Sequence, residues 1–451
     1  MAFESRNPLT GEVYRNYPFD SSKAIREKIE KAQDAQRTWK QQSFAHRKEC
    51  MLNLSKHILE QKLRLAEGIT KEMGKPITEA LAEVEKCALT ARYYAEHAEA
   101  MLQSDFIEAK GRAEISYGPL GVIFGIFPWN YPLWQVFRFV IPSLMAGNAA
   151  LFKHAENTPQ CAVEIVHLVE KSGFSEGLVQ HLFASLDSIE EIIANPAVKA
   201  VTLTGSEKAG SSVASLAGKY IKKVVLELGG SDPCIILPDA DLKAAAKISA
   251  LSRYQNTGQS CIAAKRFLVH DKVYDEFVSL FTTEAQKFIP ANPAEAETNM
   301  GTLARKDLAD IVMEQVEDAL QHGAQLLFGG ERLSDTQISP GVLIDINPAS
   351  RVYKEELFGP IASFYRVKSE EEALLQANDS SYGLGASIWT QNTAKARALA
   401  EELECGMVYF NSMVKSTPEL PFGGIKNSGI GRELSVLGIR EFTTHKLIYP
   451  L

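Results

Sequence analysis

Apolar positions along residues 22–103 recur at helical spacing. Ile25, Ile29, Ala32 and Trp39 are separated by charged residues, and Met51, Leu54 and Ile58 repeat the pattern. Gly74 and Pro76, in EMGKP (72–76), place a stop between helices. From residue 120 the period changes. Short apolar runs, GVIFGIF (121–127), NAALFK (148–153), LVQHLF (178–183), KAVTLTG (199–205) and KVVLEL (223–228), alternate with amphipathic segments such as PQCAVEIVHLVEKSG. Strand–helix alternation at this spacing predicts a parallel sheet with crossover helices. A second series follows: CIIL (234–237), KRFLVH (265–270), AQLLFGG (324–330), IASFYRV (361–367), GASIWT (385–390) and GMVYFN (406–411), with helices over 272–288 and 304–322. The seam lies near ELGGSDP (227–233), where Gly229, Gly230 and Pro233 punctuate an apolar context. The pattern thus predicts an α/β chain of two tandem parallel-sheet units. Two strand-prone segments, 107–119 and 443–451, belong to neither unit. They read either as edge strands pairing between subunits or as a surface hairpin and tail.

Composition narrows the picture. With 451 residues, 45% of them apolar, the chain is too long for one simple core. Its net charge of −8, with both signs interspersed, speaks against a nucleic-acid footprint. The N-terminal MAFESRNPLTGE lacks the pattern of a secretory leader. The longest apolar region, PLGVIFGIFPWNYPLWQVFRFVIPSLMAG, is interrupted by prolines, Asn130 and Arg138, whereas a membrane span needs ~20 unbroken apolar residues. The cysteines at 50, 87, 161, 234, 261 and 405 form no C-x-x-C pair and no metal-ligand spacing with histidine. A reduced, cytoplasmic compartment and no metal are expected.

Ligands of α/β sheets bind beyond the carboxyl ends of the strands. After GVIFGIF comes PWNYP, where a G-x-G-x-x-G would mark a dinucleotide site; that fingerprint is missing. After AVTLT comes GSEKAG (205–210), which either offers helix N–H groups to a phosphate or is an ordinary strand–helix turn. Glu227 stands at a strand end, as a functional carboxylate or a salt-bridged one. Cys261, in NTGQSCIAAKR (256–266), is either a buried packing residue or a nucleophile. Arg138, among Phe137, Phe139 and Val140, needs an anionic partner. That partner is a substrate carboxylate, bound bidentately, or a protein Asp or Glu. It follows Asn130 by eight residues, a little over two helical turns, so that both can face one cavity.

Joined in order, PWN, KHAE, G-x-x-x-x-G, ELGG, GQSC, EELFGP (355–360) and PFGGIKNSGIGRE (421–433) resemble the aldehyde dehydrogenase superfamily over nearly the whole chain. KHAEN, LTGSEKAGSSVASLAG, ELGGSDP, NTGQSCIAAKRF and MVKS look most like its bacterial and cyanobacterial succinate-semialdehyde dehydrogenases. The resemblance implies a Rossmann-like NAD-binding domain (1–106 and 120–228), a catalytic domain (229–426) and small oligomerisation strands (107–119 and 436–451) that build a homodimer or homotetramer. It implies Cys261 as the nucleophile that forms a thiohemiacetal and then a thioester. Asn130, with the Cys261 backbone N–H, would hold the oxyanion, and Glu227 would activate water.

For the cofactor it implies Lys153 and Glu156 at the adenosine ribose, with Gly205, Ser206 and Gly210 at the pyrophosphate. Trp129 would pack beside the cofactor, Glu356 would anchor the nicotinamide ribose, and Phe358 would lie against the nicotinamide. A carboxylate at 156 repels a 2′-phosphate in a partly dry site, which predicts NAD over NADP; relatives with Ser there resemble NADP users. His154 replaces a proline common among relatives. Arg138 and Ser416 would bind a substrate carboxylate. Gln255 stands where some members carry a second arginine. Ala263 stands where some carry a second cysteine, so no intramolecular disulfide is expected there. The implied activity is NAD-dependent oxidation of succinic semialdehyde to succinate. Glutarate semialdehyde or a neutral aliphatic aldehyde is the nearest alternative substrate. A cysteine hydrolase is the alternative of another class, though it lacks a recognisable paired histidine.

Overall fold

The computed structural model describes residues 2–108 and 111–450. The amphipathic N-terminal region forms four helices, Ser22–Trp39, Phe44–Glu60, Lys62–Met73 and Ile77–Met101. Ser21 and Ser43 cap the first two, their side chains accepting from the N–H groups of Ala24 and His46. The stripes Ile25, Ile29, Ala32, Trp39 and Met51, Leu54, Ile58 are buried, as their spacing predicts.

These helices pack with a six-stranded sheet ordered Gly429–Ile430, Lys223–Glu227, Val198–Thr204, Val122–Ile126, Ala149–Lys153 and Val179–His181. Five of these strands are parallel; Gly429–Ile430 runs antiparallel against Glu227 and Leu226. Strand Val122–Ile126 pairs with both Ala149–Lys153 and Val198–Thr204. Strand order reverses there, so the chain leaving its carboxyl end, Phe127 to Asn130, sits at a topological switch point.

The second unit is a seven-stranded sheet: Gln325–Gly329, Gly341–Ile344, Ile361–Val367, Ala264–His270, Asp232–Ile236, Gly385–Trp389 and Met407–Phe410. It is parallel except for its edge pair, Gln325–Gly329 against Gly341–Ile344. The two-unit α/β reading therefore holds. Leu384, Met407, Val414 and Phe422 of the second half join the core of the first, so the units meet through packed side chains.

Some features escape the hydrophobic pattern. Ala2–Arg6 and Val13–Pro18 form an antiparallel hairpin whose second strand is almost wholly exposed, so no apolar run marks it. Gly341–Ile344 is too short to stand out. The strand-prone ends do act together, within one chain: Asp105–Glu108, Arg112–Pro119 and Thr443–Ile448 make a three-stranded antiparallel sheet, with Thr443 opposite Pro119 and Ile448 opposite Glu114. Helix Ser435–Glu441 precedes the last strand, within the segment 436–451 expected to be strand. Residues 109, 110 and 451 of those expected strands lie outside the described residues. Among the described residues no helix is long and apolar enough to cross a membrane.

Candidate active site

Cys261 is delivered by a backbone that few sequences tolerate. Helix Leu242–Tyr254 ends in three successive left-handed residues, Asn256 (φ 52°), Thr257 (φ 56°) and Gly258 (φ 74°). A β-branched residue at positive φ is strained by on the order of 1–3 kcal/mol and persists only where its surroundings fix it. They do so here. Glu79 accepts the Asn256 N–H at 2.7 Å, and the Asn256 amide donates to the Asn130 and Gln259 carbonyls at 2.8 and 3.1 Å. The Gln259 side chain donates to Asn256 and Thr302 carbonyls at 3.0 and 3.2 Å and accepts the Ala304 N–H at 2.9 Å. Gly258 is obligatory, because a Cβ there would fall 2.4 Å from the Gly359 carbonyl oxygen. On the far side, the buried Lys265 ammonium donates to the Ser260 and Cys261 carbonyls at 2.9 and 2.8 Å and pairs with Glu356 at 3.0 Å.

The loop places Cys261 between two cavities, and it contributes to the wall of both. One, of about 430 Å³, is bounded by Tyr131, Trp134, Arg138, Gln255, Ser416 and Phe422 among others. The other, of about 270 Å³, is bounded by Trp129, Asn130, Gly205, Ser206, Glu356 and Phe358 among others. Burial pushes the Cys261 thiol up to about 12, with Lys265 opposing that rise. The thiol at rest is therefore protonated, and its reactivity depends on a base or on added positive field.

Asn130 precedes helix Trp134–Met145 rather than lying in it. Glu83 marks that boundary by accepting the N–H groups of Leu133 and Trp134 at 2.9 and 3.0 Å. Asn130 and Arg138 therefore do not share a helix face. Asn130 bounds the smaller cavity and Arg138 the larger, which corrects the expectation of one shared cavity. Gln135 bounds both, and its amide donates to Asn130 Oδ1 at 3.0 Å while Asn130 Nδ2 donates to the Gln259 carbonyl at 3.0 Å. This fixes the amide with nitrogen toward the nucleophile loop and leaves its second N–H for a ligand oxygen.

Arg138 has found a protein partner. Its guanidinium is buried, ion-paired with Glu433, 3.4 Å from Thr204 Oγ1 and 4.6 Å above the Phe422 ring. Arg138 thus has an anionic protein partner and also bounds the larger cavity. Glu227 stands at the end of strand Lys223–Glu227 with both carboxylate oxygens lacking a hydrogen-bond partner among the described residues. It bounds neither cavity. Burial raises its proton affinity most and the Glu433 charge next, with Arg138 and Arg432 opposing. Ser416 bounds the larger cavity and accepts from the Lys86 ammonium at 2.6 Å.

On the cofactor side, Trp129 and Phe358 meet edge to face at 5.9 Å. Ser206 caps helix Glu207–Lys219, its hydroxyl accepting the Ala209 N–H at 3.3 Å, so free N–H groups of the first turn point out at the strand end. Gly210 departs from its expected phosphate role: it is buried, and a Cβ there would lie 2.6 Å from Leu228. Its glycine lets the helix approach the chain after Glu227. Lys153 ends strand Ala149–Lys153, buried over the Phe3 ring at 4.9 Å, with Glu156 at 3.7 Å. His154 keeps that loop in place. Its Nε2 donates to the Pro132 carbonyl at 2.8 Å and its Nδ1 accepts the Ala155 N–H at 2.7 Å, while burial lowers it to about 4, so it is neutral. A helix N-terminus, an aromatic pair and a carboxylate around one cavity that ends at Cys261 fit a dinucleotide.

Cys261 thus stands in the wall of two cavities on a chain of two tandem α/β units. The chain belongs to the aldehyde dehydrogenase family, whose model matches residues 1–448. It is 45% identical to a succinate-semialdehyde dehydrogenase of Deinococcus radiodurans, covering 99% of this chain and 94% of that one. It is 44% identical to a probable succinate-semialdehyde dehydrogenase of a Synechocystis species over 100% of both chains. Both names carry NADP(+). The crystal structure of succinic semialdehyde dehydrogenase from Streptococcus pyogenes, in complex with NADP+ as the cofactor, superposes with a TM-score of 0.97 at 39% identity, covering 99% of each chain.

These relatives overturn the expectation of NAD. The structure shows why the like-charge argument fails: Glu156 is 44% exposed and has the Lys153 ammonium beside it. A solvated, paired carboxylate repels weakly and can turn aside.

Sequence reasoning also missed Gln135, Glu433, Lys265 and the charged face Glu79, Glu83 and Lys86 of helix Ile77–Met101. Those three recur at helical spacing, the usual mark of a solvated face, and here that face looks into the site.

Proposed function

We propose that the chain oxidises succinic semialdehyde to succinate, using NADP, through a covalent intermediate on Cys261. The observation that carries this is the position of Cys261 in the wall of two cavities, one fit for a dinucleotide and one whose lining includes Lys86, Arg138, Lys415 and Ser416 beside Glu79, Glu83 and Glu419. Names of relatives support the substrate and the cofactor.

In this reading Cys261 first gives its proton to solvent, and the thiolate so formed adds to the aldehyde carbon. The free N–H of Asn130 and the Cys261 backbone N–H take the oxyanion that forms. The first turn of helix Glu207–Lys219, Glu356, Phe358, Trp129 and Lys153 would hold the oxidised cofactor NADP+, which when bound would supply the acceptor for the hydride lost by the adduct. Oxidation of the adduct leaves a thioester. Glu227, a stronger base for being buried, then takes a proton from water, which attacks the thioester and releases succinate and the thiolate. To do so its side chain rotates from the Glu433–Arg138 cluster toward the cavity. A Cβ on Gly423 would stand 2.7 Å from Glu227 Oε1, so that glycine leaves room for the carboxylate.

The six cysteines are free, which supports a cytoplasmic setting. The three-stranded sheet leaves Phe106, Ile107, Leu447 and Ile448 exposed, and we read it as a contact between copies of the chain.

Steady-state kinetics with succinic semialdehyde, glutarate semialdehyde and butanal, each with NADP and NAD, tests the proposal. The highest kcat/KM is expected for succinic semialdehyde with NADP. Butanal turned over as efficiently would remove the substrate assignment. Asn130→Ala is expected to lower kcat about 10²–10³-fold, the cost of one oxyanion donor. An unchanged kcat would remove Asn130 from the oxyanion site.

A further inference from the structure

Gln135 is a buried side chain with only half of its amide in use. It stands in the first turn of helix Trp134–Met145 and is 3% exposed. Among the described residues, only Gln135 and Cys261 bound both cavities. Chemistry fixes which end of the amide points where. The Gln259 backbone carbonyl can only accept, so the Asn130 amide turns its Nδ2 to it, at 3.0 Å. Asn130 Oδ1 then faces Gln135, which answers with its Nε2, also at 3.0 Å. The Gln135 oxygen is left over. It is shielded from solvent, and no donor among the described residues reaches it. For the fold, the amide therefore adds one hydrogen bond and one buried acceptor without a donor, and these largely cancel. An apolar side chain of the same length would fill the place as well. What the amide adds is a donor on Asn130.

We propose that Gln135 is a positioning residue for the reaction, its Nε2–H holding and polarising the Asn130 amide so that the remaining Asn130 N–H meets the oxygen of the aldehyde adduct. This rests on the reading of Asn130 as the oxyanion donor. Two effects act together. Asn130 is gripped at both ends, by an acceptor at its nitrogen and a donor at its oxygen, so its plane is set before charge develops. The bond accepted by Oδ1 also draws electron density from the amide nitrogen, and hydrogen bonds linked in a chain strengthen one another. The anchor of the chain is firm, because the Gln259 side chain is itself held by Asn256, Thr302 and Ala304. Both effects grow with the negative charge on the adduct oxygen. They are felt in the transition state more than in the bound aldehyde, and so in kcat more than in KM.

The test is a double-mutant cycle on Gln135→Met and Asn130→Ala, read as kcat and KM for succinic semialdehyde with NADP, beside a fluorescence titration of NADP. Gln135→Met keeps the length of the side chain and removes the donor. It is expected to lower kcat on the order of tenfold, with KM within about twofold and NADP binding as in the wild type. In the Asn130→Ala background the same substitution is expected to change kcat by less than about twofold, since the group it acts through is gone. Should Gln135→Met not fold, Gln135→Leu replaces it with the same expectation. Failure of both to fold would show that the amide serves the fold, and overturns the assignment. Unchanged kcat in Asn130→Ala overturns the oxyanion reading and this assignment together. With Asn130→Ala slow, the assignment alone is overturned by a Gln135→Met variant as fast as the wild type, by a loss confined to KM or to NADP binding, or by a loss in kcat that persists undiminished in the Asn130→Ala background.

Discussion

Cys261→Ala is expected to lose aldehyde oxidation by at least on the order of 10⁴-fold while still binding NADP. The size of the effect follows from what the residue would do. Among the described residues no other nucleophile bounds both cavities, and without covalent capture the adduct that is to be oxidised never forms. The fold should tolerate the change, because the left-handed turn before Cys261 is held by Glu79, Asn256, Gln259 and Lys265 and none of those bonds uses the sulfur. The check is kcat/KM beside a fluorescence titration of NADP. Turnover close to wild type would end the thiol mechanism; lost turnover with lost NADP binding would point to a collapsed loop instead. The raised proton affinity of the thiol adds a sign. For as long as the thiol is the group being ionised, activity should rise with pH through the neutral range.

Much of this was legible in the chain. Short apolar runs located eleven strands, because most of those strands are buried and read as unbroken apolar runs, and period-3.6 stripes marked residues 22–103 as helical without dividing them into their four helices. Cys261, Asn130, Trp129, Ser206, Glu356 and Phe358 come together around one cavity from segments far apart in sequence, as the order of motifs implies. What stayed hidden is of a different kind. Arg138 looked in need of an anion, and sequence spacing could not say that Glu433, 295 positions away, supplies it. Glu79, Glu83 and Lys86 follow the rule for an exposed helix face, and only tertiary packing turns that face inward. Gly210 matched a phosphate turn, yet its missing Cβ serves Leu228. Glu156 misled because the charge on a residue is written in the sequence, whereas its solvation is not.

The second large effect is on stability. Arg138→Met is expected to destabilise the protein by ~3–5 kcal/mol, the usual cost of stripping one partner from a buried ion pair. Glu433 and Glu227 would then be left together in the interior, with Arg432 the remaining cation acting on Glu227. Both carboxyl groups are already raised by burial, and Arg138 is what opposes the rise in each. A carboxyl whose folded-state value lies above the unfolded one stabilises the fold at low pH, and that contribution is lost as pH climbs through the folded value. Without Arg138 the two groups rise further, so the deficit against wild type should be small near pH 5 and grow toward pH 8. Urea or thermal melts at the two pH values measure it. Adding Glu433→Gln to the Arg138→Met variant removes the orphaned charge and should recover part of the loss at pH 8. A deficit that does not change with pH, and is not relieved by the second substitution, would mean that lost packing against Phe422 and not the buried charge sets the penalty.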